Sequence, residues 1–421
     1  MMAFMIIILL ALLAGKEVGA ANVSDTQNLL TDLSQDYNVN IRPAVDQLSP
    51  VNVSLQMYLK SIMEFDEVQG SISYTAGFLM IWEDYRLGWD PLRYGGLTKL
   101  TVPLKQIWFP ELILVSPATD RTYLANTQSK ARIWSGGEVE YLEGVMIEST
   151  CDVNVKYYPF DLQSCNTSFM ALGYYQTEVY LMRRTESIDL TLYHGNSMWT
   201  LESTSVSVAD ISTGSEEQEV FFTFNLRRKP VYAVVTVLLP ILFLGTLNAF
   251  VFLLIPESGE RIGYSITTLL SIAVYMTIIM STLPQSSDPT PLIFYKLLVD
   301  LAYSSLIIVA VILNMRLHAK DDDASMPKFF VSFYLALTCR GCGGKPVSPA
   351  SHGFATDKNV LTLNEMKTKP DELDMPVNSV DAKKITWKKF SSLLDTIFFV
   401  LFIFYSFLSF AVFLGVLVGG A

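Results

Sequence analysis

The chain has 421 residues, 51% of them hydrophobic, and a positive mean hydropathy. That length accommodates two domains, and a net charge of −11 disfavours nucleic acid as a partner. Four cysteines, at 151, 165, 339 and 342, are too few to staple a small fold that lacks a core, so packing must hold this one together.

Residues 1–20, MMAFMIIILLALLAGKEVGA, carry an apolar run and then small residues. They read as a secretory signal peptide cleaved near Ala20, with a first membrane anchor as the alternative. Asn22-Val23-Ser24, Asn52-Val53-Ser54 and Asn166-Thr167-Ser168 are acceptor triplets for N-glycosylation. Behind a signal peptide they place residues 21–229 outside the cell. That region opens with polar helical sequence, SDTQNLLTDLSQDY, and turns at Arg42-Pro43. From Val51 to Leu226, short alternating runs such as VNVSLQM, KLTVP, EVYLM and EVFFTFNL are separated by Gly, Pro, Asn and Asp. This is the pattern of an antiparallel β-sandwich. Trp82, Trp89, Trp108 and Trp134 read as packing residues.

Cys151 and Cys165 bracket the segment CDVNVKYYPFDLQSC. In a secreted domain the pair reads as a disulfide, worth about 3 kcal/mol in the chain-entropy account. Tyr157, Tyr158, Pro159 and Phe160 make the loop bulky and apolar, and Asp161 follows them. A locked loop with such a tip suits contact with an apolar surface, such as that of a membrane domain.

Four apolar runs follow, at about 230–255, 262–283, 291–315 and within 392–421. Each can cross the ~30 Å of bilayer hydrocarbon as a helix. Pro240 should break one backbone bond of the first run and kink it. The third run holds Lys296 and Asp300, four apart on one helix face and expected to pair. The phenylalanine-rich fourth suits a lipid-facing helix. With residues 21–229 outside, four crossings make 319–391 cytoplasmic and return the C-terminus outside. Arg316, Lys320, Lys383, Lys384, Lys388 and Lys389 flank that cytoplasmic segment, as the positive-inside tendency expects. Within it, 326–337 reads as an interfacial helix and about 345–380 as disordered. A zinc site on Cys339-x-x-Cys342 lacks ligands, with only His352 near, so no metal or cofactor is expected. Free or palmitoylated thiols remain open.

The second run is the unusual one. Gly263, Thr267, Leu270, Val274, Thr277 or Ile278, and Ser281 recur at three- and four-residue steps, which places them on one helix face. A lipid-facing helix has little use for Thr267, Thr268, Ser271 and Thr277, whereas a helix lining a water path does. A buried bundle helix whose hydroxyls bond neighbouring backbone would carry the same pattern. Glu260 stands at the cytoplasmic end. Several copies around an axis would form a carboxylate ring that attracts cations.

The loop C-x6-Y-P-F-D-x3-C, the run SGERIGYSITTLLSIAVYM with TPLI beyond it, WEDYRLGWDP, IWFPELIL and the RRKPVY junction together resemble the pentameric ligand-gated ion channels, or Cys-loop receptors. They are most similar to the cation-conducting nicotinic and serotonin-gated branch, and the likeness covers nearly the whole mature chain. It implies a homopentamer or heteropentamer, each subunit joining four others, identical or related, around a central pore lined by the second helix of a four-helix transmembrane bundle. It implies roles for Glu260 in selectivity and for Leu270 and Val274 as hydrophobic gate rings. Ser281 stands where such channels often carry an acid, and Gly263 where a hydroxyl is usual, so conductance and divalent passage are left open. For coupling of ligand to pore, the resemblance implies Glu67 and Asp161 around Arg228, with Tyr158, Pro159 and Phe160 pressing on the link from Gln285 to Pro291.

Amine-gated members bind their ligand in an aromatic cage between subunits. Here the matching positions are Gly77, Val115 and Leu172, with Tyr174 and Tyr175 near the last. The late hairpin, 209–220, has neither paired cysteines nor an aromatic residue and carries Glu216, Glu217 and Glu219 instead. Acetylcholine and serotonin are therefore not expected to activate through this site. The small extracellular ligand is unidentified, and gating by protons, polyamines or metal ions stays open. The reading is a ligand-gated cation channel subunit in contact with membrane lipid. The alternative is an accessory subunit that conducts only in heteropentamers. No nucleophile–base pair or metal constellation points to an enzyme.

Overall fold

The computed structural model describes residues 21–210, 218–285, 288–321, 325–338 and 386–420. The expected signal peptide, the hairpin acids Glu216 and Glu217, the segment expected to be disordered, and Cys339 and Cys342 lie outside the described residues. Two compact units emerge. The first runs to Pro240 and takes in Tyr275–Leu297 and the chain from Val412 onward; the second comprises Ile241–Val274 and Leu298–Ala411.

In the first unit, helix α1 (Val23–Ser34) is set by a capping box. Asn22 Oδ1 accepts from the Asp25 amide at 2.9 Å and Asp25 Oδ2 accepts from the Asn22 amide at 3.0 Å. Ten strands follow among the described residues: β1 (Val51–Asp66), β2 (Ser71–Glu83), β3 (Lys99–Pro103), β4 (Leu112–Leu114), β5 (Lys130–Trp134), β6 (Glu138–Thr150), β7 (Leu162–Ala171), β8 (Val179–Arg183), β9 (Trp199–Asp210) and β10 (Gln218–Arg228). They form a six-stranded sheet, β3-β5-β6-β2-β1-β8, and a four-stranded sheet, β4-β7-β10-β9.

Strict alternation drives the sandwich. Every second side chain of β2, from Ile72 to Trp82, is buried, as are Val220, Phe222, Phe224 and Leu226 of β10. The two inner faces interlock through Phe78 with Phe169 at 5.0 Å and Tyr74 with Phe224 at 4.9 Å. One pairing departs from an all-antiparallel sandwich: β8 runs parallel to the start of β1. The chain crosses between sheets after β7 and therefore enters the far edge in the same direction as β1.

The tryptophans at 82, 89, 108 and 134 are structural. Trp82 and Trp108 meet edge to face in the core. Trp89 donates to the Leu97 carbonyl at 2.7 Å, and Trp134 to Glu140 at 3.1 Å. Cys151 and Cys165 form a disulfide, with Cα atoms 5.2 Å apart.

Among the described residues, four helices are long and apolar enough to cross a membrane: α2 (Val231–Leu253), α3 (Glu260–Thr282), α4 (Leu292–His318) and α6 (Trp387–Gly420). A shorter one, α5 (Lys328–Thr338), precedes the last. The break in α2 comes a turn earlier than Pro240 itself, as a π-turn at Val234–Leu238. Helix α6 starts at Trp387 rather than near 393, because Trp387 and Phe390 are buried and meet Phe330 of α5 at 5.7 and 5.5 Å. Within the second unit, Phe252 of α2 stacks on Phe402 of α6 at 5.5 Å. Tyr303 of α4 stacks on Tyr405 at 4.8 Å and donates to the Phe402 carbonyl at 2.6 Å.

Candidate functional site

Helix α3 has two distinct faces. Glu260, Gly263, Thr267, Leu270, Val274, Thr277, Ile278 and Ser281 are all exposed and follow one another at helical spacing. Leu270 is the most open of the apolar members, at 61%. On the other face Arg261, Ser265, Thr268, Ile272 and Ile279 are buried. The hydroxyls divide accordingly. Thr267 and Ser271 donate back to the carbonyls of Gly263 and Thr267 in their own helix, each at 2.8 Å, and Ser281 to Ile278 at 2.7 Å. On the buried face Ser265 likewise donates to the Arg261 carbonyl at 2.9 Å, whereas Thr268 lies within donor reach of both the Ser265 carbonyl, at 2.9 Å, and Asn248 of α2, at 3.1 Å, and so also links two helices.

Beside Glu260, the Arg261 side chain turns into the second unit. Its guanidinium donates to both oxygens of Asp395 on α6, at 2.7 and 2.9 Å, and from Nε to the Leu254 carbonyl at 2.7 Å. Asn314 of α4 donates to the same Asp395 oxygen at 2.7 Å. The one local signal of Asp395 is a lone carboxylate inside an apolar span, which has to be paired. Lys296 and Asp300 are both buried on one face of α4, and Ser304 continues that face.

The first unit holds a second charge cluster. Arg228, at the end of β10, donates from Nε and Nη2 to the two oxygens of Asp161 at 2.7 and 3.1 Å, and from Nη2 to Glu67 at 2.6 Å. The guanidinium lies over the rings of Trp199 at 4.3 Å and Tyr158 at 4.9 Å. Burial opposes its charge, but the bonds and charges of Asp161 and Glu67 outweigh that and hold the guanidinium above its ordinary value. Burial pushes the Tyr158 hydroxyl up, with Arg228 opposing and both carboxylates adding to the rise.

Gln163 donates to Asp161 and to the Asn154 carbonyl, which pins the disulfide loop against this cluster. A cavity of about 690 Å³ opens beside it, lined by Tyr158, Arg228, Lys229, Tyr232 and Thr282 among others. Trp199 was not singled out from sequence, since nothing local to it points toward an arginine 29 positions on.

A backbone bond ties the disulfide loop to the start of α4. The Leu292 amide, next to the buried Pro291, donates to the Lys156 carbonyl at 3.0 Å. Pro159 is buried and Tyr158 and Phe160 are half-buried.

The expected ligand positions do not converge within one chain. Val115 and Leu172 follow the paired strands β4 and β7, and Tyr174 accepts from the Trp108 indole at 3.2 Å. Gly77 lies on the other sheet. There it faces a cavity of about 490 Å³ lined by Tyr58, Lys60, Leu142, Gly144 and Leu192. Of the glycosylation candidates, Asn52 and Asn166 are exposed on strands and Asn22 is exposed at the α1 cap. The oxygen of Asn166 accepts from Thr223 at 2.8 Å.

Residues 26–230 match the family described as the neurotransmitter-gated ion-channel ligand binding domain, and residues 237–342 match the neurotransmitter-gated ion-channel transmembrane region. Among curated proteins, the chain is 27% identical over 323 residues to the human neuronal acetylcholine receptor subunit alpha-6, a match covering 76% of this chain and 65% of that protein. It is 28% identical over 337 residues to the human subunit alpha-3, covering 79% of this chain and 66% of that protein. The chain thus spans slightly less than two thirds of the length of these relatives. Two contiguous family matches on a β-sandwich followed by four membrane-length helices fix the assignment. The chain belongs to the neurotransmitter-gated ion-channel family of Cys-loop receptors, and is a multi-pass plasma-membrane protein with an extracellular N-terminal domain.

Proposed function

We propose that the chain is one subunit of a ligand-gated cation channel, assembled with four identical or related subunits around a pore lined by α3. The observation that carries this reading is the uninterrupted exposed face of α3 from Glu260 to Ser281, opposite a buried face that packs within the bundle. On this reading Glu260 forms the cytoplasmic ring that favours cations. Leu270 closes the pore by excluding water, and Val274 adds a second apolar ring. Residues 21–229 form the extracellular domain, 319–391 the cytoplasmic loop, and the C-terminus returns outside.

Arg228, Glu67 and Asp161 couple the ligand domain to the pore. A two-carboxylate cradle around one guanidinium has discrete alternative pairings that small rotations can exchange. Tyr158, Pro159, Phe160 and Pro291 surround that exchange. The family is one of ion channels rather than enzymes.

The ligand sits between neighbouring subunits, which accounts for Gly77 lying on a different sheet from Val115, Leu172 and Tyr174. Because these positions do not build an aromatic cage, acetylcholine and serotonin are not the agonists. The same deficit favours a second reading, in which this chain is an accessory subunit that conducts only beside related chains. Expressing the chain alone and sizing its surface assemblies separates the two: pentamers that pass current support the first, and monomers or silent assemblies the second. Robust activation by acetylcholine or serotonin through this site would contradict the ligand assignment.

A further inference from the structure

Glu260 and Arg261 are adjacent and opposite in sign. A mouth carrying one of each per subunit is net neutral to an ion approaching from more than the Debye length of about 8 Å away. Selectivity from Glu260 therefore needs Arg261 removed from the sum. Turning its side chain away is not enough, because an unpaired guanidinium in a low-dielectric interior projects its field farther than one in water.

The structure supplies the missing partner. Arg261 is 1% exposed and doubly bonded to Asp395, a residue 134 positions away on the last helix. Asp395 is itself 8% exposed, and Asn314 holds one of its oxygens at 2.7 Å. The Leu254 carbonyl fixes the guanidinium from the other side. A second pair nearby, His318 with Glu257 at 3.2 Å, involves a largely exposed carboxylate.

We infer that Asp395 is a charge-selectivity determinant of the pore. It acts through Arg261, whose guanidinium it both positions and neutralises, so that Glu260 is left as the uncompensated charge at the mouth. The inference rests on α3 lining the pore, as proposed above. It assigns to the last helix a role that its phenylalanine-rich composition does not suggest.

The test uses the full chain in lipid nanodiscs, with Cys339→Ser, Cys342→Ser and Gly263→Cys, and needs no current. The new thiol sits one turn above Glu260 on the exposed face. Its labelling rates with trimethylammonioethyl and sulfonatoethyl methanethiosulfonate are read by intact mass and divided by the rates for a free thiol. The parent should prefer the cationic reagent by about tenfold, the lower range for charge focusing in a cleft.

Asp395→Asn should collapse that preference toward unity. The neutral pair Arg261→Gln with Asp395→Asn should restore it, and this pair also covers a failure of the single variant to fold. A mere staple between helices would change both rates together and leave the ratio untouched, and that result overturns the inference. Glu260→Gln separates the two levels. If it lowers the preference and Asp395→Asn does not, the pore reading stands and this inference falls. If Glu260→Gln also leaves the ratio unchanged, both fall.

Discussion

The Tyr275 hydroxyl donates to the Thr236 carbonyl over 2.8 Å, and in a regular α-helix that carbonyl would take the amide of residue 240. Residue 240 is proline and has no amide hydrogen to give. The same hydroxyl lies 3.1 Å from the Val237 carbonyl, within the π-turn Val234–Leu238. An unmet carbonyl in hydrocarbon costs several kcal/mol, and helix α3 offers a donor to the carbonyls just before the proline of α2. Tyr275→Phe removes only that oxygen. It should cost about 1–3 kcal/mol, read as a lowered melting midpoint in nanodiscs. Pro240→Ala, which returns an amide, should shrink the loss; equal losses in both backgrounds would mean that the hydroxyl does not replace the missing donor.

Arg228 is 7% exposed and shared between Asp161 and Glu67. Removing one partner of a buried pair leaves the other charge uncompensated, at about 3–5 kcal/mol. Arg228→Gln should therefore lower the melting midpoint strongly. Arg228→Lys should recover only part, because an ammonium cannot form the two-oxygen fork or lie flat between Trp199 and Tyr158. Full recovery by lysine would show that charge alone matters there.

Burial pushes the Tyr141 hydroxyl from its ordinary value of 10.0 up to about 12. The amide of Asn126 donates to it at 2.8 Å and opposes the rise, and its own bond to Glu143 at 2.9 Å adds to it. The folded state thus holds this proton more tightly than the unfolded chain. Stability from this group is complete below pH 10 and is lost as pH climbs toward 12. A pH series of melting curves should steepen downward in that window, and Tyr141→Phe should flatten this contribution. An unchanged slope in Tyr141→Phe would rule the group out.

Gly245 of α2 faces Ser406 of α6 so closely that an added Cβ would lie 2.9 Å from the serine oxygen. Small residues allow this approach between membrane helices. Gly245→Leu should prevent α6 from docking and abolish surface expression. Gly245→Ala should cost about 1 kcal/mol, recovered by Ser406→Gly, as followed by melting midpoints.

Much of the fold was legible because it is periodic. The alternation along β2 and β10 writes the sandwich, and the three- and four-residue steps of α3 write its exposed face. Local chemistry was equally readable in the Cys151–Cys165 disulfide. What local pattern cannot carry is a partner far along the chain. Asp395 bonds Arg261 across 134 positions, and Tyr275 of α3 bonds the Thr236 carbonyl of α2. The bond from the Leu292 amide to the Lys156 carbonyl was not legible either, because backbone contacts carry no side-chain signature. The ligand site was the least legible part. Gly77 and Leu172 are informative only as departures from a cage, and a departure does not name a ligand.

The central claim is that α3 lines a cation pathway closed by Leu270. Expressing the chain alone with Leu270→Thr tests it most directly, because a hydroxyl ring should wet the closed pore without any ligand. The account predicts a standing current whose reversal follows the Na⁺ and K⁺ gradients and loses that selectivity when Glu260→Ala is added. A standing current that follows Cl⁻, or silence from surface pentamers, would contradict it.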